Sequence, residues 1–293
     1  MREFTSGFAG KIQAFILQKN ALGYPYVSGA HHLWHFDKMC RNQFPAENQL
    51  TQAVCMAWAV RKDGEGNGFH GRLSAVREFA RYLNRTGETA YVLPPDFARR
   101  GSRRVPHIYT EAEIAAIWQA ADAIPQKRVD SAVRRVVIPT FLRLIYCCGL
   151  RPAEARKLRV ENVDLERGRL YIVESKGHKD RYVWMADDMA ELCRNYNAQM
   201  EGVMPKRTIF FPTPKDKWYS KTWLLEMFSD VRADASIVQA GEHPPRIYDF
   251  RHTFATHRLY QWMHEGKDIS AMLPYLSAYM GHAHISDTYY SSI

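Results

Sequence analysis

Residues 146–165 read YCCGLRPAEARKLRVENVDL. A helical pattern runs into this stretch from its N-terminal side, and Gly149 predicts where it stops. Pro152 suits the first position of a new helix, because proline lacks the N–H that a helix start leaves unused. Arg151 is thereby held at a junction between two helices. A guanidinium on a fixed backbone is what bidentate phosphate recognition needs. Glu154 falls on the first turn after it, within reach to orient Arg151. Taken alone, the stretch also fits a surface arginine at a turn.

Working outward, DSAVRRVVIPTFLRLIYCCG (130–149) predicts helix, with Pro139 as a kink or a break. Upstream, Thr110 and Glu113 in TEAEIAAIW form a capping box that starts a helix. Downstream, GRLYIVESKGHKDRYVWMADD (168–188) switches to period-two alternation, which predicts two strands joined by a turn at SKGHK. Gly177 permits that turn, and Lys176 and Lys179 stand at its tip, where basic groups reach a DNA groove or simply face water. RIYDFRHTFATHRL (246–259) returns to helix. Tyr248 and Arg251 share one face of it, with His252 beside them, and Phe250 and Phe254 are expected to pair toward the core. In YMGHAHISDTYYSSI (279–293), Gly281 ends a helix, His282 follows at once, and Tyr289 and Tyr290 lie further on.

The N-terminal part predicts helices throughout. Phe8, Ile12, Phe15 and Ile16 share a face of a helix that stops at Gly23. A later helix carries Leu73, Val76, Phe79, Ala80 and Leu83 on its apolar stripe and Arg72, Arg77, Arg81 and Arg85 on its other faces. Those arginines are either solvated or phosphate-facing. Between the two parts, LPPDFARRGSRRVPHIY (93–109) combines prolines, a glycine and Arg99, Arg100, Arg103 and Arg104. It predicts a non-helical basic connector suited to lie along a DNA backbone, where each neutralised phosphate releases a counterion. The organisation expected is a helical domain over 1–93, a basic linker over 94–108 and a second domain over 109–293. The fold class is mainly α with a small β-sheet.

Of the 293 residues, 46% are hydrophobic and 24% charged, a globular profile. Forty Lys and Arg against 31 Asp and Glu favour a polyanionic partner. The five cysteines, Cys40, Cys55, Cys147, Cys148 and Cys193, sit in apolar patterns and predict buried reduced thiols in a cytosolic protein. No apolar run approaches the ~18 residues that span a bilayer. Neither CxxC nor HExxH occurs, and the histidines lack ligand spacing, so no metal is expected.

The order of GLRPAEARKL, a lysine hairpin, RHTFAT, MGH and a terminal tyrosine resembles the tyrosine recombinase, or phage integrase, family from about Thr110 onward. The helical first part resembles that family's core-binding domain. The resemblance implies that Arg151 and Arg251 are the two catalytic arginines, Lys176 the catalytic lysine and His282 the second histidine, with Glu154 and His252 in support. It implies attack by a tyrosine on a DNA phosphodiester, leaving a 3′-phosphotyrosyl enzyme, with neither metal nor cofactor. Double-stranded DNA is the implied partner, with self-association into a tetrameric synapse and a cytoplasmic, nucleoid-associated location.

Two positions depart from the family pattern. Tyr248 stands where the family has His or Lys. Nine positions after His282, where the nucleophile is expected, stands Ser291; Tyr290 is one short of it and Tyr289 two short, and only three residues follow Tyr290. Tyr290 is taken as the nucleophile. Two other readings stay open: a DNA-binding protein of the same fold that no longer cleaves, and relaxation of the type IB topoisomerase kind.

Overall fold

The computed structural model describes residues 3–23, 25–61, 65, 68–98, 104–124, 131–173, 180–237 and 243–282. The chain divides into two compact units, 1–104 and 105–293.

In the first unit α1 (Ala9–Ala21), α2 (Val27–Gln43), α3 (Gln52–Trp58) and α4 (Gly68–Arg85) surround one core. Phe8, Ile12 and Phe15 are fully buried on one side of α1, as the periodicity predicts, and meet Phe36, Leu73, Val76 and Phe79. Each such side chain contributes about 1.5–3 kcal/mol of burial. Asp37, also buried, accepts from the backbone N–H groups of Thr5 and Ser6 at 2.8 and 3.1 Å and so fixes the entry to α1.

Two arginines of α4 correct the sequence reading. Arg72 and Arg77 are neither solvated nor phosphate-facing; both are buried. Arg72 forks onto Glu65 at 2.8 and 2.9 Å and donates to the carbonyls of Trp58 and Val60 beyond the end of α3. Arg77 donates to the carbonyls of Leu93 and Pro94, each at 2.8 Å, and so holds the chain as it leaves the unit. Both carry a charge inside because backbone carbonyls replace the lost water. Arg81 and Arg85 are exposed.

In the second unit α5 (Glu111–Asp122) begins at the capping box of Thr110 and Glu113. The central helix α6 (Ser131–Cys147) runs through Pro139 without a break, so the alternative of two helices is set aside. It is followed by α7 (Pro152–Arg156) and a three-stranded antiparallel sheet of β1 (Val163–Asp164), β2 (Arg169–Ile172) and β3 (Arg181–Trp184) in that order. The short β1 adds to the two strands that alternation predicts. Then come α8 (Asp187–Val203), α9 (Lys221–Asp234), α10 (Asp249–His264) and α11 (Ile269–Met280).

Helix α6 packs on α5, α8 and α10. The sheet turns Leu170, Ile172 and Val183 inward and leaves Tyr182 and Trp184 exposed. Phe250 lies in the main core, edge-on to Phe228 and tilted against Tyr109. Phe254 does not join it: it stacks on Tyr279 in a smaller cluster with Ala255, Leu276 and Met280. Four cysteines are buried, and Cys147 is exposed, contrary to expectation. None of the described helices is long and apolar enough to cross a membrane.

Candidate active site

Helix α6 ends at Gly149, whose φ of +58° is the left-handed conformation glycine adopts freely. A Cβ there would lie 2.4 Å from a ring carbon of Phe254, so the position has no room for a side chain. The turn delivers Arg151 as the residue before α7, with Pro152 opening the helix. Glu154 folds back onto it. One carboxylate oxygen accepts from the Arg151 backbone N–H at 2.9 Å, and the other from its Nη1 at 2.7 Å.

Helix α10 brings Arg251 to the same place from far along the chain. Its entry is pinned by buried Asp249, which accepts from the Arg246 backbone at 2.8 Å and from its guanidinium at 3.0 Å. Thr253 accepts from the Tyr109 backbone at 3.0 Å. Arg251 is only 7% exposed. Its Nη1 donates to the Gly149 carbonyl at 2.6 Å and its Nη2 to the Met280 carbonyl. Burial, with neighbouring Arg151, lowers its pKa to about 9, which still leaves it a cation at neutral pH.

The C-terminal end of α11 completes the site. Gly281, at φ +66°, stops the helix, and the His282 N–H closes the turn onto the Ser277 carbonyl at 3.0 Å. Three successive carbonyls here each accept from a different arginine. Arg181 Nε donates to Tyr279 at 2.9 Å, Arg251 to Met280, and Arg151 Nη2 to Gly281 at 2.8 Å. A helix C-terminus carries partial negative charge, so it is a natural seat for cations. Glu154 also pairs with Arg181, at 3.0 and 2.8 Å. Burial alone would raise the Glu154 pKa, but Arg181 and Arg151 together pull it down to about 2.

Arg151, Glu154, Arg251 and His282 thus share one locus. Tyr248 precedes α10 and packs partly buried against the main core, and His252 is half-buried on α10. Arg104 is half-buried at the end of the first unit. Lys176, Lys179, Tyr289, Tyr290, Arg99, Arg100 and Arg103 lie outside the described residues. Sequence reasoning missed Arg181. The signal was its phase: in β3 it falls on the side of Val183, paired with inward Ile172, so a charge stands where the alternation calls for an apolar residue. An open cleft of about 560 Å³ adjoins Arg151, with Lys157, Arg159, Tyr171 and Trp218 on its walls. Among the described residues no three His, Cys, Asp or Glu side chains are grouped to hold a metal.

Residues 108–291 match the phage integrase family. The chain is 30% identical over 295 residues to the putative integrase/recombinase y4rE of Sinorhizobium fredii, covering 99% of this chain and 93% of that one. It is 28% identical over 264 residues to the tyrosine recombinase XerD of Neisseria meningitidis, covering 86% and 82%. Its fold is similar to that of a lambda integrase dimer bound to a COC′ core site, with a TM-score of 0.67, 13% identity and coverage of 97% and 94%. It is similar also to XerH recombinase bound to difH substrate, with a TM-score of 0.65, 20% identity and coverage of 94% and 78%. At those identities the likeness to the two structures is one of fold. The chain belongs to the phage integrase family.

Proposed function

We propose that the protein is a site-specific DNA strand transferase that cleaves and rejoins duplex DNA through a 3′-phosphotyrosyl intermediate. The observation that carries this reading is the convergence of Arg151 and Arg251 on the end of α11, where the Glu154 carboxylate pairs with Arg151 and Arg181. Among the described residues such a site is short of negative charge, and a phosphodiester supplies it. In the reaction the Tyr290 phenol attacks phosphorus and the 5′-oxygen leaves, so the phosphodiester bond is exchanged for a phosphotyrosyl bond and a free 5′-hydroxyl. Arg151 and Arg251 stabilise the charge that builds on the non-bridging oxygens. His282 donates a hydrogen bond to one of them, and Lys176 protonates the leaving oxygen. Glu154 keeps Arg151 in place and Tyr248 donates from its phenol. The first unit and the arginines at 99, 100, 103 and 104 hold the duplex. The fold's likeness to recombinases bound to their DNA sites supports duplex DNA as the partner and assembly of several protomers on it.

The spacing of the tail favours a second reading, in which the chain binds DNA without cleaving it, since Ser291 rather than a tyrosine stands nine positions after His282. A nicked duplex that traps the covalent product separates the two. Cleavage yields a protein–DNA adduct whose linked peptide carries Tyr290, and Tyr290→Phe abolishes the adduct while DNA binding persists. Binding with no adduct from the intact chain supports the second reading, and Ser291→Tyr then tests whether register alone silences the site.

A further inference from the structure

Arg181 has no part in the chemistry just described, yet it ties two elements of the site together, α7 through Glu154 and the end of α11 through Tyr279. It lies at the start of β3, five positions after Lys176 on the return arm of the hairpin. Its guanidinium spans both oxygens of Glu154, at 3.0 and 2.8 Å, while its Nε donates to the Tyr279 carbonyl at 2.9 Å. The side chain is 10% exposed and that of Glu154 7%. A second, independent observation comes from Gly281. A Cβ at that position would lie 3.1 Å from Arg181 Nη1 and 3.2 Å from its Cδ. The arginine thus packs where a side chain at 281 would begin, directly before His282.

We infer that Arg181 is a positioning residue that locks the Glu154–Arg151 pair and the His282 turn into one geometry from strand β3. The inference rests on the strand-transfer reading. Physically, Glu154 shares its charge between two guanidinium groups. Without Arg181 the buried carboxylate keeps the partner on its own helix but loses the one that ties it to β3 and α11. The end of α11 loses a donor in the same step, so Arg151 and His282 drift together. A planar fork is needed because the carboxylate and the carbonyl are engaged at once; a lysine ammonium reaches one of them well.

The test is single-turnover adduct formation on the nicked duplex, followed from pH 5 to 8. Arg181→Met is expected to slow it about 100-fold, the scale for losing one preorganised stabiliser of transition-state charge. It is also expected to bring in an acid limb, the rate falling as pH drops and Glu154 takes up a proton. Arg181→Lys restores part of the rate, and Arg181→Met with Glu154→Gln removes the acid limb. A purely structural arginine changes the rate by the same factor at every pH. A rate within about threefold of the unmodified protein, or a loss uniform in pH, overturns the inference. If Arg181→Met does not fold, Arg181→Lys carries the test, and a rate in that folded variant within about threefold of the unmodified protein overturns it equally. If the intact chain binds DNA and forms no adduct, the strand-transfer reading fails, and Arg181 is then judged by affinity. Arg151→Ala is expected to cost about tenfold with Arg181 present and under about threefold with methionine there, and equal losses overturn the inference. No binding by the intact chain overturns both.

Discussion

Both units bury arginines, and they do so differently. In the first, Arg72 pairs with a carboxylate, Glu65, and Arg77 donates to carbonyls, those of Leu93 and Pro94. The two side chains serve separate joints: one closes the end of α3, the other holds the exit from the unit. In the second unit Arg151, Arg181 and Arg251 converge on three consecutive carbonyls, and Arg151 and Arg181 share Glu154. Burial of an arginine is therefore no sign of function by itself, because carbonyls solvate a guanidinium wherever a chain end needs fixing. What marks the second unit is crowding of like charge at one helix end. Arg251 feels it, with Arg151 among the causes that lower its pKa. Like charges are held together only where the fold accepts the repulsion, and a site for a polyanion gains from it.

The largest effects expected break the comparison along that line. Arg251→Ala should slow adduct formation by about 10²–10³, the range for a lost preorganised donor. It should also lower stability, since the carbonyls of Gly149 and Met280 lose a buried donor. Arg77→Ala should cost about 1–3 kcal/mol of stability for the carbonyls it leaves unmet, and leave the adduct rate of the folded fraction unchanged. Urea unfolding beside single-turnover kinetics measures both.

Next in size is Gly149→Ala. The left-handed φ and the 2.4 Å approach of a Cβ to Phe254 act together, so stability should fall by about 2–3 kcal/mol. Thermal unfolding against the milder Gly281→Ala, whose nearest neighbour would be the Arg181 side chain at 3.1 Å, sharpens the point: that approach asks only a small shift of its neighbour, and the 2.4 Å approach to the Phe254 ring asks a large one.

A third expectation concerns acid. The pKa of Glu154 is near 2 in the folded protein against an ordinary 4.5, so its pairing stabilises the fold above about pH 4.5 and loses that effect as pH falls toward 2. The difference in unfolding free energy between the intact chain and Glu154→Gln should be largest above pH 5, at about 3 kcal/mol, and shrink toward pH 2. The smallest effect is at the surface: Arg81→Ala with Arg85→Ala should change stability by less than about 0.5 kcal/mol, both side chains being exposed.

Much of this was legible in the sequence because it is local. The capping box at Thr110, the stop at Gly149, the proline opening α7 and the reach of Glu154 to Arg151 all depend on residues within a few positions. Arg72 and Arg77 of α4 were misread for the opposite reason. Their carbonyl partners lie 12 to 17 residues away, and any residue type supplies a carbonyl; the one carboxylate, Glu65, stands outside α4, where helical spacing does not point to it. Phe254 was misplaced because helical phase tells which way a ring points, not which of two apolar clusters lies there. Arg181 was legible in part: its phase in β3 put it inward, but its partners, Glu154 and the end of α11, are 27 and 98 residues distant.

The central claim, that converging arginines mark a phosphodiester site and buried arginines elsewhere do not, is tested most directly by one pair of rates. Adduct formation on a nicked duplex is measured for Arg251→Ala and Arg77→Ala side by side, at a temperature where both are folded. The result expected is loss of the adduct with Arg251→Ala and retention with Arg77→Ala. Equal loss in the two, or adduct retained in Arg251→Ala, would contradict it.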